Sequence, residues 1–160
     1  IKSLYLDNLN LDMYTDSIEG VVPRKKIRVR NYPNNLDNQF YLEVKNSSVE
    51  GRFKTRKIIN EKDTNSLKKN GILDYQYGSC FPTFTVSYDR EYILYKGTRL
   101  SIDKNIKYES YRNNSYTTDE KVIVEIKTSI NKDADFLVKT FPFQRIRFSK
   151  YCYAVENLKY

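Results

Sequence analysis

What most constrains this chain is a strict alternation of ionic and apolar residues within short segments. It is clearest in Pro23–Lys45, read PRKKIRVRNYPNNLDNQFYLEVK. Successive side chains of a strand point to opposite faces. Lys26, Arg28 and Arg30 therefore share one face, and Ile27 and Val29 the other. Phe40 to Lys45 repeats the division. Between the two segments, Tyr32-Pro33-Asn34-Asn35 supplies turn chemistry, because Pro fixes φ and Asn tolerates left-handed backbone. The stretch predicts a hairpin with one apolar and one ionic face.

The same alternation returns along the chain. Ile1–Leu6 reads as a strand. Gly51–Ile59 places Arg52, Lys54, Arg56 and Ile58 on one side. Phe81–Tyr95 gives two strands or one bent one, with Arg90, Tyr92 and Leu94 on a shared face. In Thr98–Asp103, Arg99, Ser101 and Asp103 lie opposite Thr98, Leu100 and Ile102. In Lys121–Lys127, Lys121, Ile123, Glu125 and Lys127 lie opposite Val122, Val124 and Ile126. Phe143–Phe148 sets Arg145 and Arg147 on one side. Between these segments the sequence predicts a helical turn over Leu11–Tyr14 capped by Asp7 or Asn8, and a helix or loop over Asn60–Gly71. It further predicts a loop over Lys104–Glu120, a short helix over Asn131–Lys139, and a terminal helix capped by Ser149. The expected class is α+β, a mainly antiparallel β-sheet or barrel with a few short helices. A chain of 160 residues suits one domain over 1–160.

Composition narrows the chemistry. Lys and Arg number 28 against 20 Asp and Glu, a net charge of +8, which points to a polyanionic partner such as nucleic acid, membrane headgroups or phosphates. Histidine is absent, which removes Ser-His-Asp triads, histidine acid–base catalysis and HExxH zinc sites. Cys80 and Cys152 form no CxxC motif and read as reduced thiols of a cytoplasmic protein. No apolar run reaches the about 18 residues of a transmembrane helix, and no signal peptide opens the chain. The start on strand-like IKSLYL without an initiator Met leads us to expect a piece of a longer protein.

The strand positions on ionic faces are dominated by cations: Lys26, Arg28, Arg30, Lys45, Arg52, Lys54, Arg56, Arg90, Arg99, Lys121, Lys127, Arg145 and Arg147, against Glu43, Asp103 and Glu125. A solvated sheet face also carries Lys and Arg, but it normally mixes signs, because like charges opposite one another are destabilising. Arginine forks grip phosphate oxygens bidentately. Glu125 within VIVEIK is either an ion-pair partner or a metal ligand. Arg147-Phe148-Ser149-Lys150 is either an ordinary capped helix start or an anion site at a helix N-terminus.

Seven segments in order carry a resemblance: SLYLDNLNLDMYTDSIEG, KIRVRNY, FYLEVK, the YDR ending at Arg90, RLSID, VIVEIK and RFSKYCYA. Over nearly its whole length the chain resembles the VTC domain, the polyphosphate polymerase domain of the triphosphate tunnel metalloenzyme superfamily, in its bacterial form. The resemblance implies an antiparallel β-barrel tunnel lined by basic residues. ATP would be bound there with Mn²⁺ or Mg²⁺, and its terminal phosphate added to polyphosphate. It implies Arg28, Arg30, Lys45, Arg90, Arg99 and Lys150 as catalytic phosphate ligands. Lys54, Arg56, Tyr88, Arg147 and Ser149 follow as substrate-binding residues, and Glu125 as the metal ligand. The family's opening helix and strand have no counterpart before Ile1, so a tunnel lacking its N-terminal strand is expected. The segment between Ile59 and Phe81 is short of helix by the same comparison.

The implied chemistry suits the residues. Phosphoryl transfer is mostly positioning and charge neutralisation, and an attacking phosphate oxygen is already anionic, so no histidine base is needed. A hydrolase acting on tripolyphosphate or nucleoside triphosphates would instead need Glu43 or Glu125 to orient water. A non-catalytic polyphosphate-binding module is a further alternative. A nucleic-acid partner is not expected if the cations turn inward. A membrane-protein partner remains compatible with the resemblance, and the oligomeric state is left open.

Overall fold

The computed structural model describes residues 1–34, 39–128 and 134–158. In chain order the elements are β1 (Lys2–Asp7), α1 (Asp12–Glu19), β2 (Arg24–Asn31), β3 (Phe40–Ser47), β4 (Arg52–Ile59), α2 (Glu61–Asn70), β5 (Ile72–Asp74), β6 (Gly78–Tyr95), β7 (Thr98–Ser110), β8 (Tyr116–Asp119), β9 (Ile123–Lys127), α3 (Ala134–Thr140) and α4 (Lys150–Asn157). Among the described residues the strands form one antiparallel sheet in the order β4-β3-β2-β1-β6-β7-β8. β9 joins β7 beside β8, and β5 joins β6.

The hairpin forms as its pattern requires. Ile27 pairs with Val44 and Val29 with Leu42, while Lys26 meets Lys45, Arg28 meets Glu43 and Arg30 meets Tyr41. β1 continues both columns, with Tyr5 opposite Arg28 and Leu6 opposite Ile27. Leu4, Leu6, Ile27 and Val29 are buried in the core. On the ionic face the core is made by aromatic packing against α4, where Tyr151 lies 5.4 Å from Tyr5 and 5.5 Å from Phe84 between ring centroids.

Local signals set the helices. Both candidate caps of α1 act: the Asp7 carboxylate accepts from Met13 N and Tyr14 N, and Asn8 Oδ1 accepts from Asp12 N. Asp7 also accepts from the Tyr151 hydroxyl, so one buried carboxylate ties α1 and α4 to β1. Burial pushes the Asp7 carboxyl upward, against the pull of these hydrogen bonds. α2 starts at Asn60, which accepts from Asp63 N at 2.7 Å. It stops at Gly71 (φ 71°), where a Cβ would stand 2.3 Å from the Cys80 carbonyl oxygen. Glycine alone fits there. Ser149 caps α4 by accepting from Cys152 N.

Three expectations are corrected. Residues 104–120 are not a loop: β7 runs on to Ser110 and β8 pairs with it. A bulge at Asn105 (φ 53°) shifts the alternation, so the period-2 pattern breaks where the strand does not. Phe143–Phe148 forms no strand; its alternation has no neighbouring strand to pair with among the described residues. The barrel is not closed there either, because the outer strand β4 is not hydrogen-bonded to β8 or β9. Phe81–Tyr95, left between one strand and two, belongs to the single long strand β6, with an irregularity between Ser87 and Asp89.

Candidate functional site

The ionic columns of β2, β3, β4, β6, β7 and β9 lie on one face, and that face curls. In a flat sheet the three steps from β2 to β7 would separate them by about 14 Å. Yet Lys26 on β2 and Asp103 on β7 are held by consecutive residues at the start of one helix, Ser149 at 2.8 Å and Lys150 at 2.5 Å. Arg30 on β2 likewise reaches across β1 to donate to the Tyr88 hydroxyl on β6 at 3.1 Å.

Two buried carboxylates organise the cations. Glu43 is 2% exposed and has Arg28 at 2.7 Å, Arg30 at 3.9 Å, Lys54 at 2.5 Å and Arg56 at 3.6 Å. Burial opposes its ionisation, but Lys54, Arg28 and Arg30 outweigh it and hold the carboxyl below its ordinary range. Asp103 is 1% exposed and takes a two-pronged contact from Arg90, at 2.5 and 2.7 Å, together with Lys150 at 2.5 Å. It too is held down, by Arg90 and Lys150 against its burial. Arg28 also donates to the Tyr5 hydroxyl at 3.0 Å. Burial would raise that phenol, and Arg28, Arg30 and Lys26 reverse the effect and lower it.

The N-terminus of α4 completes this arrangement. Lys26 Nζ donates to Ser149 Oγ at 2.8 Å, and Lys150 Nζ lies over the Tyr88 ring at 4.8 Å. Burial lowers the pKa of Lys26, with Cys152 and Tyr5 opposing. Lost solvation, followed by the charges of Arg52 and Arg28, lowers that of Lys45. Cations held this way gain by receiving an anion.

Of the predicted site residues, Arg28, Arg30, Lys54, Arg56, Tyr88, Arg90, Ser149 and Lys150 meet in these two linked clusters, and Lys45 stands opposite Lys26 beside them. Arg99 lies on the same column, exposed and paired in register with Lys127. Arg147 does not join: its guanidinium donates to the Ser17 carbonyl on α1 at 2.9 Å. Sequence reasoning did not pick out Tyr5 or Asp103 as part of the site. Their positions in SLYLD and RLSID, on the same faces as Arg28 and Arg90, carried the signal.

Glu125 is 47% exposed, with Lys127 at 3.4 Å, Arg90 at 4.0 Å and Ser101 Oγ at 3.4 Å. Glu43 and Asp103 are almost wholly buried among cations, whereas Glu125 is the more exposed carboxylate of this face. Among the described residues no group of three or more acidic or thiol side chains gathers to hold a metal. The donor set fits a hard divalent cation that keeps waters and takes its remaining ligands from phosphates.

A family model described as "VTC domain" matches residues 1–159. The chain belongs to the VTC domain family. The family lies among the triphosphate-tunnel phosphotransferases, a group whose enzymes generally depend on divalent metal. A crystal structure of a "putative adenylate cyclase" from Bacillus halodurans has a similar fold. Its TM-score is 0.62 at 13% identity, covering 93% of this chain and 78% of that one. No curated protein matches the sequence. Among the described residues no helix of this VTC domain is long and apolar enough to cross a membrane.

Proposed function

We propose that this VTC domain is a polyphosphate polymerase that transfers the terminal phosphate of ATP to a growing polyphosphate chain on its ionic face. The observation that carries this reading is the convergence of Arg28, Arg30, Lys54, Arg56, Arg90 and Lys150 from four elements onto one face. That many separately anchored cations match a linear polyanion better than a single phosphate.

In this reading the arginines align the triphosphate, Lys26 and Lys45 add charge at the α4 end, and the Ser149–Cys152 turn offers backbone N–H groups to a terminal phosphate. Tyr88 holds Arg30 and sits beneath Lys150. Glu125, with substrate phosphates, would hold Mn²⁺ or Mg²⁺, which supplies neutralisation of charge on the phosphoryl oxygens when bound. The acceptor is an anionic phosphate oxygen, so proton removal is unnecessary. Glu43, ion-paired and with a lowered pKa, is a poor base for activating water, which favours transfer over hydrolysis. Because the cations lie on the curled face, duplex nucleic acid is a poor fit.

The test is incubation of the full-length protein with ATP and Mn²⁺, followed by sizing of polyphosphate on a gel. We expect long chains from the wild type and none from Glu125→Gln or Arg28→Ala. Orthophosphate as the sole product would mean a hydrolase, and tight polyphosphate binding without turnover a non-catalytic module. Unchanged synthesis by either variant would remove these residues from the site.

A further inference from the structure

One part of the ionic face is not accounted for by phosphate binding. At the β2–β3 hairpin end, the Arg56 guanidinium lies 3.6 Å from the centroid of the Tyr41 ring. Tyr32 meets Tyr41 edge-on at 6.0 Å and lies 5.9 Å from the same guanidinium. The Arg56 side chain is 43% exposed, and Ile58, the register partner of Tyr41, is 62% exposed. Two half-buried rings, a partly exposed arginine plane and an exposed aliphatic side chain therefore meet at one end of a face that is otherwise charged.

We propose that the Tyr41–Arg56 stack is a nucleobase subsite, taking the base of a nucleoside triphosphate whose phosphates lie on the Arg28, Lys54 and Lys26 cations. The inference rests on the phosphate-site reading above and adds to it what distinguishes a nucleotide from a bare phosphate chain. Arg56 touches both halves: its Nε is 3.6 Å from Glu43 Oε1, in the phosphate cluster, while its plane is stacked on Tyr41. A guanidinium can stack on an aromatic face and still donate from its edge. Bases stack readily on such planes and on aromatic rings, whatever their hydrogen-bonding pattern.

The spacing also suits a nucleotide. Tyr41, Glu43 and Lys45 are alternate residues on one face of β3, so each step is about 6.8 Å. A base at the Tyr41 row leaves the phosphates at the Arg28–Glu43–Arg56 row and then at the Lys26–Lys45–Lys54 row. That second row ends at Ser149 and the α4 N-terminus. Stacking does not depend on a base's hydrogen-bonding pattern, so the subsite takes nucleotides as a class and favours those whose bases stack best.

Isothermal titration of the full-length protein with ATP, and separately with inorganic tripolyphosphate, both with Mg²⁺, tests this. The ratio of ATP affinity to tripolyphosphate affinity should fall about tenfold in Tyr41→Leu, the lower part of what a stacked base contributes. It should be retained in Tyr41→Phe, which keeps the ring. An unchanged ratio in Tyr41→Leu overturns the subsite and leaves the phosphate site standing. If the wild type binds neither ligand, the phosphate site is overturned and the subsite with it.

Discussion

Glu43 is the residue on which the ionic face depends. Four cations within 4.0 Å of one buried carboxylate would repel each other without it. Removing one partner of a buried ionic group costs about 3–5 kcal/mol. We therefore expect Glu43→Gln to lose about 3 kcal/mol in urea denaturation and to recover much of it on addition of tripolyphosphate, which supplies the missing negative charge. No recovery would mean that the cations do not face a shared anion site. The pH dependence follows from Glu43 and Asp103, both with folded-state pKa values depressed. Such groups contribute stability above their unfolded pKa, about 4, and that stability is lost as pH falls through the lower folded values. The urea midpoint should hold from pH 7 to about pH 5 and drop below that; a flat profile down to pH 3 would contradict the ion pairs. The alternation in FYLEVK placed Glu43 on the cationic face. Its four partners were not legible, because Arg28 and Arg30 depend on the β2–β3 register and Lys54 and Arg56 on the β3–β4 register, the latter set by the turn joining Ser48 and Gly51.

At the scale of elements, α4 brings the site together from outside the sheet. Ser149 both caps the helix and receives Lys26. Replacing an N-cap serine by alanine costs about 1 kcal/mol of stability. Ser149→Ala should lose about that much in urea denaturation and also bind tripolyphosphate more weakly, since it frees Lys26 from its partner. Lost stability with unchanged affinity would reduce Ser149 to a cap alone. The helix was legible from its cap and its aromatic residues, and the hairpin from its period. β7 beyond Asp103 was not legible, because the bulge at Asn105 puts Asp103 and Ile106 on the same face, three residues apart. A period-2 reading takes that slip for a loop. At Arg145 and Arg147 the opposite occurred: alternation without a partner strand made no strand, and Arg147 turned to α1.

For the whole molecule, the net charge of +8 belongs to one curled face rather than to the surface at large. Lys26 and Lys45, with pKa values lowered by burial and, for Lys45, by its neighbours, lose their protons at lower pH than exposed lysines. Tripolyphosphate affinity should therefore weaken on the alkaline side before the ordinary lysine pKa of about 10.4, and an affinity constant up to pH 10 would count against their contact with phosphate. Curling was legible only through the family resemblance, since alternation fixes which face a side chain occupies and not how far apart two faces end. The most direct measurement is isothermal titration of tripolyphosphate with Mg²⁺ into the wild type, Arg28→Ala on β2 and Lys150→Ala on α4. We expect one binding site per chain, weakened at least tenfold by either substitution. Affinity that survives both would mean that these cations, drawn from opposite ends of the sequence, do not act on one polyanion.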